Sequence, residues 1–307
     1  MTLSQRIKHH AESLGFFSCG ISQATFLEAE ARDLTAWLSQ QRNGKMQYME
    51  NYFDKRTDPR KLVEGAKSVI SVLHNYLPEP HFRQPEGAPK ISLYAWGQDY
   101  HFVLKQKLQQ LLHYIRTETS EQIHAGIYVD SAPVMDKAWA KRGGLGWIGK
   151  HTNLIVPQAG SYFFIGEIIC DVVLAYDSPM KDFCGTCTRC IDACPTEALS
   201  PYEIDARKCI SYLTIELKEA IPPEFEGKME NWAYGCDICQ EVCPWNRFAQ
   251  AHTGEEFKPL DFILNWDRRD WENMDKAVFK KMIKRSAMSR VKWEKMRENV
   301  GLSFGSV

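Results

Sequence analysis

The feature that most constrains this chain is a run of four cysteines, Cys184-Gly-Thr-Cys187-Thr-Arg-Cys190-Ile-Asp-Ala-Cys194-Pro195. Its spacing, C-x2-C-x2-C-x3-C-P, is one by which a polypeptide holds [4Fe–4S] cubes. Three thiolates in one tight loop face a single cube, and the turn before Pro195 carries the fourth to another. A second set follows at Cys209, Cys236, Cys239 and Cys243, the last again followed by proline, Pro244. Crossing the ligands between the two sets assigns Cys184, Cys187, Cys190 and Cys243 to one cluster. Cys194, Cys209, Cys236 and Cys239 go to the other. Zinc takes four ligands and would leave the remaining thiols and both Cys-Pro ends without a reason. Disulfides need an oxidising compartment, and Met-Thr-Leu-Ser-Gln-Arg-Ile-Lys-His-His lacks the apolar segment of an export signal, so a cytoplasmic location is expected. Cys19 and Cys170 stand in apolar surroundings and read as buried thiols.

Clusters supply electrons and do not say what is reduced. The 307 residues hold one large domain and a small one. A formal net charge of −1 gives no global attraction to nucleic acid, so any such contact must be local. From Lys276 to Glu298 there are nine Lys or Arg against two Glu. That is either a phosphate-tracking face or a solvated helix surface. The most apolar stretch, Tyr162 to Ala175, is broken by Glu167 and Asp171 and is too short to span a bilayer.

Periodicity predicts an α/β (α+β) fold. Leu3, Ile7, Ala11 and Leu14 mark an amphipathic helix that Gly15 can end, and a second helix is expected over Leu27 to Gln41. A long helix after His101 buries Val103, Leu104, Leu108, Leu111, Leu112 and Ile115. Strands are expected at Phe16 to Ile21, Val69 to Leu73, Gly126 to Val129 and within Ser161 to Leu174. Lys45 to Arg60 has no clear period, and Pro78 to Pro89 reads as a surface loop. The expected organisation is a catalytic α/β domain over 1–175, a ferredoxin-like two-cluster module over 176–250, and a basic helical tail over 251–307. No G-x-G-x-x-G or G-x-x-x-x-G-K-[ST] is present, although Gly143 to Lys150 is glycine-rich.

The richest candidate for the chemistry is Tyr128-Val-Asp130-Ser-Ala-Pro-Val-Met-Asp136-Lys-Ala-Trp-Ala-Lys-Arg-Gly-Gly-Leu-Gly-Trp-Ile-Gly-Lys150-His-Thr-Asn153. Asp130 follows a strand, and the glycines let backbone approach a large ligand. A carboxyl there is a candidate general acid, and equally a candidate N-cap of the helix that Pro133 can start.

This block is similar to epoxyqueuosine reductases. So are the Cys184–Pro195 run, Cys209-Ile-Ser-Tyr-Leu-Thr214 and Tyr234-Gly-Cys236-Asp-Ile-Cys239-Gln-Glu-Val-Cys243-Pro244. The resemblance implies a cobalamin-dependent enzyme related to reductive dehalogenases. Its reaction would remove the epoxide oxygen of epoxyqueuosine at the tRNA wobble position, giving queuosine. Asp130 matches the family's proton donor, and Arg56, Asp130, Lys150, Asn153 and Ser211 match positions that approach the corrin. Partners implied are a tRNA anticodon loop carrying epoxyqueuosine and an external electron donor, with a monomer expected. Asp99-Tyr-His101 begins a D-x-H-x-x-G cobalamin motif but lacks its glycine, so base-off cobalamin is expected, with His101 structural or lining the pocket. Longer family members add a C-terminal helical-repeat domain, of which 286–293 resembles a beginning. The competing readings are a reductive dehalogenase acting on a small molecule and a ferredoxin-type electron-transfer protein.

Overall fold

The computed structural model describes residues 1–119 and 122–304; the last three positions of the expected tail therefore lie outside the described residues. Helix α1 (Leu3–Ser13) starts at a reciprocal cap, in which the Thr2 hydroxyl accepts from Gln5 N and the Gln5 side chain accepts from Thr2 N. The other early elements are β1 (Ser18–Gln23), α2 (Glu28–Ser39), α3 (Phe53–Thr57), β2 (Ser68–Asn75) and β3 (Lys90–Ile91). There follow α4 (Tyr100–Glu118), β4 (Ala125–Tyr128), α5 (Asp136–Arg142), the short pair β5 (Trp147–Ile148) and β6 (Leu154–Ile155), and β7 (Phe163–Cys170).

Four strands form one sheet in the order β1-β2-β7-β4, with every neighbouring pair antiparallel. Helices and strands alternate along the chain, yet every pairing within this sheet is antiparallel. The sheet is covered on both sides. Ile70, Val72 and Ile168 face α1 and α4 through Ile7, Ala11, Leu104, Leu108 and Ile115. Val69 and Ile169 face α5 through Ala138 and Trp139. Burial on both faces explains why β2 and β7 read as nearly continuous apolar runs rather than alternating ones.

The cysteine-rich part is built from short pieces: α6 (Arg189–Asp192), β8 (Leu199–Ser200), β9 (Glu203–Ile204), α7 (Ile210–Ile215), β10 (Trp232–Tyr234) and α8 (Ile238–Glu241). β10 pairs with β3 in parallel, stitching this part to the first half of the chain. The tail carries α9 (Asp261–Asn265), α10 (Arg268–Glu272), α11 (Lys276–Met282) and α12 (Trp293–Ser303). It shares a core with earlier residues: Phe262, Trp271, Phe279, Met288 and Met296 pack with Ile91, Trp96 and Tyr234. Asn299, fully buried, donates to Thr214 O at 2.8 Å and Ala233 O at 2.9 Å. Among the described residues no helix is long and apolar enough to cross a membrane.

Candidate active site

β4 delivers Asp130 to the start of a bend, where its backbone turns left-handed (φ +50°). α5 begins six residues later, with Met135 as its N-cap and no side-chain cap bond. Asp130 is therefore not a helix cap. Its carboxylate instead accepts from the Tyr100 hydroxyl at 2.5 Å and lies 3.7 Å from His101 Nε2. Tyr100 and His101 are presented by the first turn of α4, which Asp99 caps by accepting from His101 N at 3.0 Å. The same Asp99 oxygen sits 2.7 Å from His101 Nδ1. The imidazole thus bridges two carboxylates, Asp99 and Asp130.

The electrostatics follow from that bridge. Burial would lower the His101 pKa, but the two carboxylates outweigh it and push it up to about 9, so the ring is an imidazolium at neutral pH. Desolvation would raise Asp130; hydrogen bonds from His101 and Tyr100 and the charges of His101 and Arg290 pull it below the usual carboxylate range. Asp130 is enclosed by protein yet 58 % exposed at its side chain, because it opens onto a cavity.

That cavity has a volume of about 1560 Å³, more than a drug-sized ligand needs. Its walls include Asp130, His101, Lys137, Asn153, Ser211 and Arg290, together with four cysteines, Cys194, Cys209, Cys236 and Cys239. Lys137 donates to Thr152 O at 2.9 Å, and desolvation lowers its pKa. Arg290 comes from the tail, pairs with Glu216 at 2.5 Å and lies over the Tyr48 ring at 5.6 Å. The volume, the polar groups and the apolar floor fit a group as large as a corrin with a nucleoside beside it.

The other four cysteines, Cys184, Cys187, Cys190 and Cys243, line a separate hollow of about 220 Å³. Among the described residues no three His, Cys, Asp or Glu groups converge as ligands of a single metal ion do. Four thiols spread around a hollow suit the four iron corners of a cube better than one zinc. Lys150 Nζ donates to Gly185 O at 2.7 Å and Cys187 O at 3.0 Å, so this predicted corrin neighbour clamps the cysteine loop instead of lining the large cavity. Arg56 also stands outside the cavity lining. It is buried and donates through Nη2 to the carbonyl of Tyr48, a lining residue, at 2.9 Å. Asp130, Asn153 and Ser211 all line the cavity.

Residues 56–131 match the family model of epoxyqueuosine reductase QueG (DUF1730), and residues 183–246 match that of a 4Fe-4S double cluster binding domain. An epoxyqueuosine reductase from Leadbetterella byssophila is 55 % identical over 298 residues, covering 97 % of each chain. The chain belongs to the epoxyqueuosine reductase family. A crystal structure of an epoxyqueuosine reductase with an epoxyqueuosine-modified tRNA-Tyr stem loop superposes with a TM-score of 0.86 at 30 % identity, covering 98 % of this chain and 80 % of that one. The Bacillus subtilis epoxyqueuosine reductase, solved with an aspartate catalytic loop swung out of its active site, gives 0.88 at 29 % identity over 98 % of this chain and 80 % of that one. The double-cluster match contains all eight spaced cysteines.

Two features of this epoxyqueuosine reductase fold escape sequence reading. Arg290 lies in the basic tail, where nothing marks one cation as facing the cavity. Beneath the Asp130 bend, Glu167 projects from the middle of β7, opposite Tyr128 and Ser71, and is fully buried. It meets Asp136 of α5, and burial raises both carboxyls, Asp136 to about 6 and Glu167 well above its usual range. Both Glu167 oxygens, Asp136 Oδ1 and Ser71 Oγ lack other partners. The pair holds a proton at neutral pH, because two bare carboxylates cannot share a dry site.

Proposed function

We propose that this chain reduces epoxyqueuosine to queuosine at the wobble position of tRNA, with cobalamin in the large cavity and two [4Fe–4S] clusters on the eight cysteines. The observation that carries this reading is the meeting, in one cavity, of Asp130 with Cys194, Cys209, Cys236 and Cys239. When bound, cobalamin supplies the reducing equivalents at the epoxide, and the clusters pass it single electrons. The net change takes up two electrons and two protons and leaves a carbon–carbon double bond and water.

The chain's own residues handle the proton that goes to the epoxide oxygen. Asp130 gives a proton from its carboxyl to the epoxide oxygen as negative charge develops there. Its resting state is the carboxylate, so the proton must be delivered to it. His101 holds that proton as the imidazolium, with Nδ1 fixed by Asp99 and Nε2 facing Asp130, and passes it on through Asp130 in concert with epoxide opening, because forming the free acid first would run uphill. The 3.7 Å gap from Nε2 to Oδ2 is closed by a small rotation of the carboxylate. Asn153, Ser211 and Lys137 offer polar contacts to the corrin periphery, and Arg290 places a fixed cation near the developing charge. The modified base leaves the anticodon stack to enter the cavity. Lys280, Lys281, Lys284, Arg285 and Lys292 are exposed, and among the described residues none has a carboxylate within ion-pair range, which suits phosphate contact.

The test is anaerobic reconstitution with iron, sulfide and cobalamin, then incubation with a strong reductant and epoxyqueuosine-containing tRNA. Nucleosides from the digested tRNA are read by mass. Loss of one oxygen that depends on added cobalamin supports the reading. Cobalamin binding with unchanged tRNA contradicts it.

A further inference from the structure

The two cysteine-lined cavities share a single lining residue, His151. The residue follows Lys150 in the turn joining β5 and β6, and it is 2 % exposed. Its Nδ1 accepts a hydrogen bond from Asn153 N at 3.1 Å. An accepting Nδ1 carries no proton, so in the neutral ring the proton sits on Nε2. That nitrogen is buried and has no partner in the protein. A buried donor left unpaired bears the full cost of its desolvation, so its retention in a packed partition calls for an acceptor. None of the polar groups of the described chain supplies one.

A second orphan stands at the same place. Trp147 is 1 % exposed and its Nε1 also lacks an oxygen or nitrogen partner. Its ring packs in one group of side chains with Cys184, Cys243 and Trp245. The wall between the cavities thus carries two buried N–H groups that no acceptor of the described chain satisfies. Gly149 is the residue that lets the ring sit there: a Cβ at this position would lie 3.1 Å from His151 Cε1 and 2.5 Å from Ile155 Cδ1.

We propose that His151 Nε2–H donates a hydrogen bond to a sulfur atom of one [4Fe–4S] cluster and thereby sets its reduction potential apart from that of the other. The inference rests on the two-cluster reading above. Reduction adds negative charge to a cluster, and a hydrogen bond to its sulfur stabilises the reduced form, raising the potential. His151 is a positioning and tuning residue; it touches neither substrate nor reacting atoms.

The test is a redox titration of the reconstituted protein followed by electron paramagnetic resonance, without tRNA, so it is separate from any assay of turnover. His151→Phe removes the donor and keeps the bulk. The expected result is a full iron and sulfide content, a downward shift in the midpoint of one cluster, and an unchanged midpoint for the other. His151→Gln, which keeps an N–H, recovers part of the shift. Unchanged midpoints for both clusters in His151→Phe overturn the proposal. So does an effect confined to cobalamin affinity, which would turn the donor toward the corrin. If His151→Phe does not load clusters, wild-type protein carrying ¹⁵N-histidine gives the decision. A hyperfine coupling from histidine nitrogen to a reduced cluster supports the bond, and its absence refutes it.

Discussion

At the scale of single residues, the site separates a proton donor from its proton store. Asp130 is held ionised by the neighbours that would recharge it, and His101 keeps its proton because two carboxylates face it. A His pKa raised by folding contributes stability that is complete below about pH 6.5 and is lost as pH rises through about 9. His101→Asn should therefore remove the loss of stability between neutral pH and pH 9.5, read as the change in Tm across that range. It should also cut kcat by roughly 10²-fold, and abolish an alkaline limb near pH 9 in the wild-type rate profile. The buried Asp136–Glu167 pair also loses stability as pH rises, but from a lower pH and because burial disfavours its charged form. Carboxyls whose pKa values are raised by folding cost stability as pH climbs from their unfolded values through the folded ones, here about 6 for Asp136. Glu167→Gln, which offers an amide donor to Asp136, should raise Tm more at pH 8 than at pH 5. Equal shifts at both values would show that the pair holds no proton.

At the scale of elements, the junction from β4 through α5 to the β5–β6 turn builds most of the site, and it was partly legible. Local signals carried far: Leu3, Ile7 and Ala11 mark α1, the six apolar positions after His101 mark α4, and cysteine spacing separates two sets of thiols. What depends on distant pairing was hidden. The antiparallel order β1-β2-β7-β4 leaves no trace in helix and strand alternation, and Phe16, expected in a strand, precedes β1. The aperiodic Lys45 to Arg60 stretch contains α3, entered through a left-handed Tyr52 at φ +55° that local propensity does not favour. Glu167 looked like an interruption of an apolar strand; only the seating of α5 on the sheet makes it a partner of Asp136. That seating is close. A Cβ at Gly20 on β1 would lie 2.2 Å from Gly143 O at the end of α5. Gly20→Ala should destabilise the protein by about 1–3 kcal/mol and weaken cobalamin loading, measured by denaturant midpoint and by corrin absorbance.

At the scale of the whole molecule, near-neutral charge coexists with one local basic face, and the tail that bears it is part of the core. Trp271, Phe279 and Met288 hold the tail, while Lys280, Lys281 and Lys284 stay exposed beside them. Lys280→Glu combined with Lys281→Glu should weaken tRNA binding and flatten its salt dependence, by roughly one unit of slope for each phosphate that is no longer neutralised. Cluster content should not change, so a loss of iron would point to misfolding instead. Arg290, which crosses from the same tail to the cavity, links the surface that would meet RNA to the charge near Asp130. The central claim is that Asp130 meets the substrate in a cavity backed by Cys194, Cys209, Cys236 and Cys239. Its most direct test is Asp130→Asn, reconstituted anaerobically with clusters and cobalamin and assayed on epoxyqueuosine-containing tRNA. The account predicts normal iron content and normal cobalamin absorbance with turnover reduced roughly 10² to 10⁴-fold. Turnover equal to wild type would remove Asp130 from the proton-donating role and with it the mechanism derived from this cavity.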